Sequence, residues 1–149
     1  MFEVSIRTTP EQLWEAITKP EFTRRYARGT DVESTWLPGA PIRYRDGNGC
    51  IHVDGVLVEV VYARKLVQTW LFVEHAEARR DRPSRVTWEI QPMGDTCKLT
   101  VTHDDFDGET KTYEMAGRGW PTLLSDLKTL VETGESGQPP QTPRATNAP

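Results

Sequence analysis

Residues 119–134 read GWPTLLSDLKTLVETG. Trp120, Leu123, Leu124, Leu127, Leu130 and Val131 recur at the three-and-four spacing that puts them on one side of an amphipathic helix, and Gly134 is suited to close it in the left-handed conformation. Pro121 lacks an N–H and fits best in the first turn of that helix. The alternative is a helix that begins earlier, near Tyr113, and kinks at Gly119-Trp120-Pro121, so the start falls within residues 111–120. An apolar stripe this wide must be covered, and whatever covers it lies upstream.

Upstream, from Asp31 to about Asp105, the apolar period changes to two. Turn chemistry recurs at Pro38-Gly39, Asp46-Gly47-Asn48-Gly49, Asp54-Gly55, Arg82-Pro83-Ser84 and Met93-Gly94-Asp95. The pattern predicts an antiparallel meander with strands 31–36, 41–46, 50–61, 65–74, 84–92 and 96–104, bent by a bulge at Asp54-Gly55. Phe2, Val4 and Ile6 alternate with polar residues and add a seventh strand. Two short helices follow that strand. Thr9-Pro10-Glu11-Gln12 supplies a cap, a first-turn proline and a Gln three residues on, and Pro20 ends the first helix and opens a second, which runs to about Arg28 with Gly29 as its stop. The class is α+β, a curved sheet whose helices all lie on one face.

The 149 residues carry 36% hydrophobic side chains and five Trp, enough for one core. The fifteen residues after Gly134 hold four of the eleven prolines and no large apolar side chain, so the domain is expected over 1–134 with a disordered Pro-rich tail over 135–149. Eighteen basic residues against twenty-two acidic ones give a net charge of −4, which argues against nucleic acid as a partner. No basic and apolar leader opens the sequence, no apolar run reaches the roughly 18 residues needed to span a bilayer, and two distant cysteines, Cys50 and Cys97, make no disulfide framework. Cytoplasmic location without membrane insertion is the resulting expectation.

Four stretches in order, TPEQLWEAITKPEFTRRY (9–26), DRPSRVTWEIQPMG (81–94), KLTVTHDDF (98–106) and GWPTLLSDLKTLVETG, resemble the activator of heat-shock-protein-90 ATPase homologue-like family of the START-type helix-grip superfamily (SRPBCC). The resemblance covers about residues 2 to 134. It implies the birch-pollen-allergen-like helix-grip fold, a curved seven-stranded antiparallel sheet around a long C-terminal helix with two short helices after the first strand. It also implies a cavity between sheet and helix, in which relatives hold lipids, sterols, polyketides or other hydrophobic molecules. Many relatives place a second aromatic after the tyrosine at position 26, whereas this chain has Ala27, which implies a roomier wall there.

Strand alternation independently puts Val56, Val58 and Val60, then Leu66, Gln68, Trp70 and Phe72, then Val86, Trp88 and Ile90, then Cys97, Leu99, Val101 and His103 on inward faces. Candidate ligand contacts are Gln68, Trp70, Phe72, Trp88 and His103 from the sheet and Trp120, Leu123, Leu124 and Leu127 from the helix. Tyr26 and Trp36 complete the set. His103 and Gln68 are the polar members, able to fix a ligand's polar group, but both also read as hydrogen-bonded core residues.

Metal chemistry finds little support. Cys50 and His52 project together, on the side expected to meet solvent, and no third ligand stands at a workable spacing; Asp104-Asp105-Phe106-Asp107-Gly108 lacks the spacing of a calcium loop and reads as a turn. No phosphate-binding or nucleophile motif occurs. The run Arg79-Arg80-Asp81-Arg82, with Arg24, Arg25 and Arg28, can form an anion-attracting rim or a solvated face. The expected function is therefore the binding of a hydrophobic small molecule without catalysis or cofactor. A cyclase- or hydratase-type enzyme and a chaperone-associated module with a protein partner are the alternatives.

Overall fold

The computed structural model describes residues 1–134; the expected tail over 135–149 lies outside the described residues. The chain forms β1 (Phe2–Ile6), α1 (Pro10–Thr18), α2 (Pro20–Tyr26), β2 (Asp31–Ser34), β3 (Pro41–Arg45), β4 (Ile51–Val61), β5 (Lys65–Phe72), one 3₁₀ turn (Ala78–Arg80), β6 (Ser84–Met93), β7 (Thr96–Asp104) and α3 (Lys111–Thr133). The seven strands make one antiparallel sheet in the order β1-β7-β6-β5-β4-β3-β2, so the meander runs unbroken and β1 closes it at the far edge. This is the expected helix-grip topology.

Local chemistry explains the short helices. The Thr9 hydroxyl accepts from the Gln12 amide at 3.1 Å and starts α1, which buries Leu13, Trp14, Ala16 and Ile17. Lys19, held extended before Pro20, separates α1 from α2. The Tyr26 hydroxyl donates to the Ala16 carbonyl at 2.8 Å and locks the two helices together. Buried Thr23 donates to the Thr30 carbonyl and accepts from the Val32 amide, tying α2 to β2.

Strand β4 departs from expectation. Val56 and Val58 are 45% and 54% exposed, whereas Val53 and Leu57 are buried. The register explains it: the pairs of Val53, Asp54 and Leu57 with β5 keep one register, which slips between Leu57 and Glu59, so the extra residue is Val58. The bulge thus lies beyond the Asp54-Gly55 step, and it reverses the phase so that Val60 packs on the core from the opposite parity. Gly55 answers a different need. A Cβ there would stand 2.0 Å from the Thr69 carbonyl oxygen, so its bare backbone lets β4 and β5 close together.

Helix α3 also begins earlier than its proline suggests. The Asp81 carboxylate, from the loop before β6, accepts from the Thr110 hydroxyl at 2.8 Å and from the Thr112 hydroxyl and amide at 2.5 and 3.3 Å. That remote cap fixes the first turn at Lys111 and leaves Pro121 inside the helix rather than in its opening turn. Thr112, Ala116, Trp120, Leu124, Leu127 and Leu130 form its buried stripe, and Gly134, left-handed at φ 78°, donates its amide to the Leu130 carbonyl.

Candidate functional site

A cavity of about 480 Å³ opens between α3 and the concave face of the sheet. Its depth is aromatic, with Trp70 at the centre: ring centroids lie 5.4 Å away for Tyr44, 5.9 Å for Phe72 and 5.3 Å for Trp120, which in turn meets Trp88 edge-on at 5.3 Å. The mouth is polar, edged by Arg28, His52, Glu74, His75, Arg118 and Asp126. The space lies between the concave sheet and the part of α3 that carries Met115, Ala116, Gly119, Trp120 and Leu123.

Of the residues singled out by sequence, Tyr26, Trp70, Phe72, Trp88, Trp120 and Leu123 line the cavity, as does Ala27. Leu124 and Leu127 are buried on the adjoining side of α3, packed into the core, and Gln68 and His103 are buried outside the lining. Trp36 packs elsewhere against the core, half-buried, with its own φ at 62°. Tyr44, Val53, Met115 and Ala116 join the lining without having been anticipated. Tyr44 was within reach of the period-two rule, since it alternates with buried Ile42 on β3.

His103 looks at first like a base. Its Nε2 lies 2.6 Å from the Ser84 hydroxyl, a nucleophile-to-base distance. The remaining bonds assign the protons otherwise. The Trp120 indole N–H donates to Nδ1 at 2.9 Å, so Nε2 carries the ring proton and donates to Ser84, whose hydroxyl donates onward to the Trp70 carbonyl at 3.2 Å. Burial lowers the His103 pKa to about 4, against the opposing pull of Asp104. Its one lone pair is spent on Trp120, so the ring braces the cavity wall and has no capacity to take a proton from Ser84. Phe106 stacks on it at 4.6 Å.

Behind the wall, Gln68 Oε1 accepts from Trp88 Nε1 at 2.9 Å. Its Nε2 and the Trp70 indole N–H are buried and, among the described residues, have no hydrogen-bond partner, although the Tyr44 hydroxyl stands close to the Gln68 amide. Burial raises the pKa of both Tyr44 and Tyr26.

At the mouth, a second bulge, where Tyr44 pairs with Val53 but Arg45 pairs with Ile51, leaves His52 as the unpaired extra residue. It is therefore re-aimed from the expected solvent face to the cavity rim, while Cys50 stays exposed. His52 Nε2 meets Asp46 Oδ2 at 2.8 Å and its Nδ1 meets Glu74 Oε1 at 3.1 Å. These three residues gather potential ligand atoms within 4.8 Å of one another, a cluster the linear spacing did not reveal. Both ring nitrogens are nonetheless taken by carboxylates, so His52 braces Asp46 to Glu74, and an ion would have to displace at least one of these contacts. The Asp46 pKa is lowered, chiefly by the bond from His52 and then by the Cys50 amide.

Three of the six arginines singled out by sequence are committed within the domain. Arg82 binds the Asp105 and Asp107 carboxylates at 3.2 Å each and the Phe106 carbonyl at 2.9 Å, folding that acidic stretch into a turn. Arg24 pairs with Asp31, and Arg25 donates to the Gly134 carbonyl.

Fold and cavity together define a helix-grip protein of the START type. The chain belongs to the Activator of Hsp90 ATPase homolog 1-like protein family, whose model matches residues 7–132. It is similar to the Aha1 dimer of Colwellia psychrerythraea (TM-score 0.72, 15% identity, 91% of this chain and 96% of that one) and to an HSP90 activator of Plasmodium falciparum (TM-score 0.68, 24% identity, 87% and 94%). DynU16, from the dynemicin biosynthetic locus, aligns with TM-score 0.74 and 22% identity over 93% of this chain and 48% of its own. At these identities the likeness is one of fold. The comparison with curated proteins gives no match. Among the described residues no helix is long and apolar enough to cross a membrane.

Proposed function

We propose that the protein holds a hydrophobic small molecule in the cavity between sheet and α3 and performs no covalent chemistry on it. The observation that carries this reading is an aromatic cavity of about 480 Å³; behind its wall His103 has both ring nitrogens engaged, and at its mouth His52 is held between two carboxylates. Burying ~400 Å² of apolar ligand yields about 10 kcal/mol gross, from which association removes at least ~4, leaving affinity in the range of tens of micromolar. A cytoplasmic carrier or sensor, without nucleic-acid partner, metal or cofactor, fits such binding.

A cyclase- or hydratase-type activity on the same cavity lacks a free proton acceptor on the aromatic wall. A chaperone-associated role draws on the named relatives and on the outer face of β4, where Val56, Val58 and Val61 are exposed together.

Cavity filling is the test. Leu123→Trp places bulk in the void and should abolish binding of aromatic or lipid probes, followed by tryptophan fluorescence and amide-resolved NMR, while stability changes by less than about 1 kcal/mol. Leu124→Trp, in packed surroundings, should instead cost about 1–3 kcal/mol. If no compound in a broad apolar series perturbs amides of Trp70, Trp88 or Leu123, the binding reading is wrong.

A further inference from the structure

We infer that the molecule held in the cavity is an anion, with an apolar or aromatic body in the depth and an oxyanion at the mouth received by Arg28 and Arg118; this rests on the ligand-holding reading above. The two guanidinium groups come from different elements, Arg28 from the link between α2 and β2 and Arg118 from α3, and both edge the same opening. Among the described residues neither makes an ion pair, although their neighbours do. Arg24 is bound by Asp31, and Glu114, one turn from Arg118, pairs with Lys111 at 3.6 Å.

The mouth also carries two carboxylates, Glu74 and Asp126, so its formal charges balance, but neither carboxylate pairs with the arginines. Glu74 is occupied by His52 at 3.1 Å, and Asp126, eight residues beyond Arg118 and hence about 12 Å along the helix, pairs with neither arginine. His75 accepts the Glu77 and Ala78 amides at Nδ1, which puts the proton of its neutral ring on Nε2 as a further donor. Arg28 sits at φ 55°, directly before Gly29 at φ 74°, where the chain turns out of α2.

Chemistry narrows the class. Planar guanidinium forks match carboxylate, sulfonate or phosphate oxygens, and a body of drug-like size fills the aromatic interior. A neutral lipid would leave both arginines unanswered.

Two probes with one aromatic body separate the alternatives: 8-anilinonaphthalene-1-sulfonate and its uncharged counterpart N-phenyl-1-naphthylamine, titrated by fluorescence into the full chain. The anion should bind about tenfold tighter than the neutral probe, with added salt weakening the anion alone. Arg28→Gln and Arg118→Gln should each lower anion affinity about three- to tenfold, and the double variant should erase the preference while neutral-probe affinity stays within about twofold. Both side chains are exposed, so the thermal midpoint should hold. Equal binding of both probes to the unmodified chain, or a preference surviving in the double variant, overturns the inference and leaves the apolar cavity reading intact. Binding of neither probe, or binding of both undiminished by Leu123→Trp, overturns the cavity reading as well.

Discussion

The two halves of α3 meet the rest of the molecule in opposite ways. Its C-terminal half is sealed: Leu127 and Leu130 are buried, Lys128 donates to the Ser5 carbonyl, Glu132 accepts the Arg7 amide and Arg25 of α2 reaches the Gly134 carbonyl. The half before Leu124 roofs a void, with Trp120 reaching down to His103. One amphipathic stripe thus does two jobs, with the sheet's curvature deciding which. Stability is expected to reside at the sealed end and binding at the open one.

The sharpest way to break that contrast is truncation at matched positions. Leu127→Ala should cost about 2–5 kcal/mol in denaturant unfolding, and Leu123→Ala under about 1, since the latter already borders empty space. Equal losses would mean that the open end is as tightly packed as the sealed one.

Acid should loosen the open end next. His103 has a folded pKa near 4 against an ordinary value of 6.5, so between these values the unfolded chain binds the proton and the folded chain does not. Stability is complete above pH 6.5 and falls as pH drops toward 4, by about 3 kcal/mol if the whole shift is realised. Asp46, Asp81 and Glu132 have lowered pKa values, so their contributions are complete above the ordinary carboxylate range and are lost as pH falls from that range downward. Urea unfolding of the parent chain and His103→Gln between pH 4 and 7 checks the assignment; an unchanged slope in the variant would place the pH dependence elsewhere.

The smallest expected effect concerns the roof's anchor. Asp81→Asn weakens three bonds to the first turn of α3 and should cost about 1 kcal/mol, with faster amide exchange confined to residues before Trp120. Exchange that quickens equally beyond Leu127 would show the two halves to be one cooperative unit.

What was legible in the sequence follows the same division. Element order, strand number and the inward faces of β6 and β7 could be read because alternation there is unbroken from Val86 to Ile90 and Cys97 to His103; on β5, where Val67 is buried as well, the inward set followed from Leu66 and Trp70 sharing a parity. On β4 one extra residue reversed every inward assignment before it, and no property of Val58 marks it as the bulge. The start of α3 could be bounded only to residues 111–120, where Lys111 falls, because its cap is Asp81, far upstream in sequence, and Pro121 favoured a later first turn. The cavity's aromatic depth was visible in part; its rim was not, since His52, Glu74 and Arg118 meet only through bulges and curvature.

The pairing of β1 with β7 has a consequence during synthesis. Phe2 lies opposite Val101 and Ile6 opposite Cys97, so β1 is made about 95 residues before its only strand partner. At roughly 5–20 residues per second the partner follows about 5–20 s later, and the seal made by Lys128 and Glu132 forms later still. Until then the nascent chain presents an unpaired strand edge with Phe2, Val4 and Ile6 along one side, which is the form most open to capture by another chain or by a chaperone.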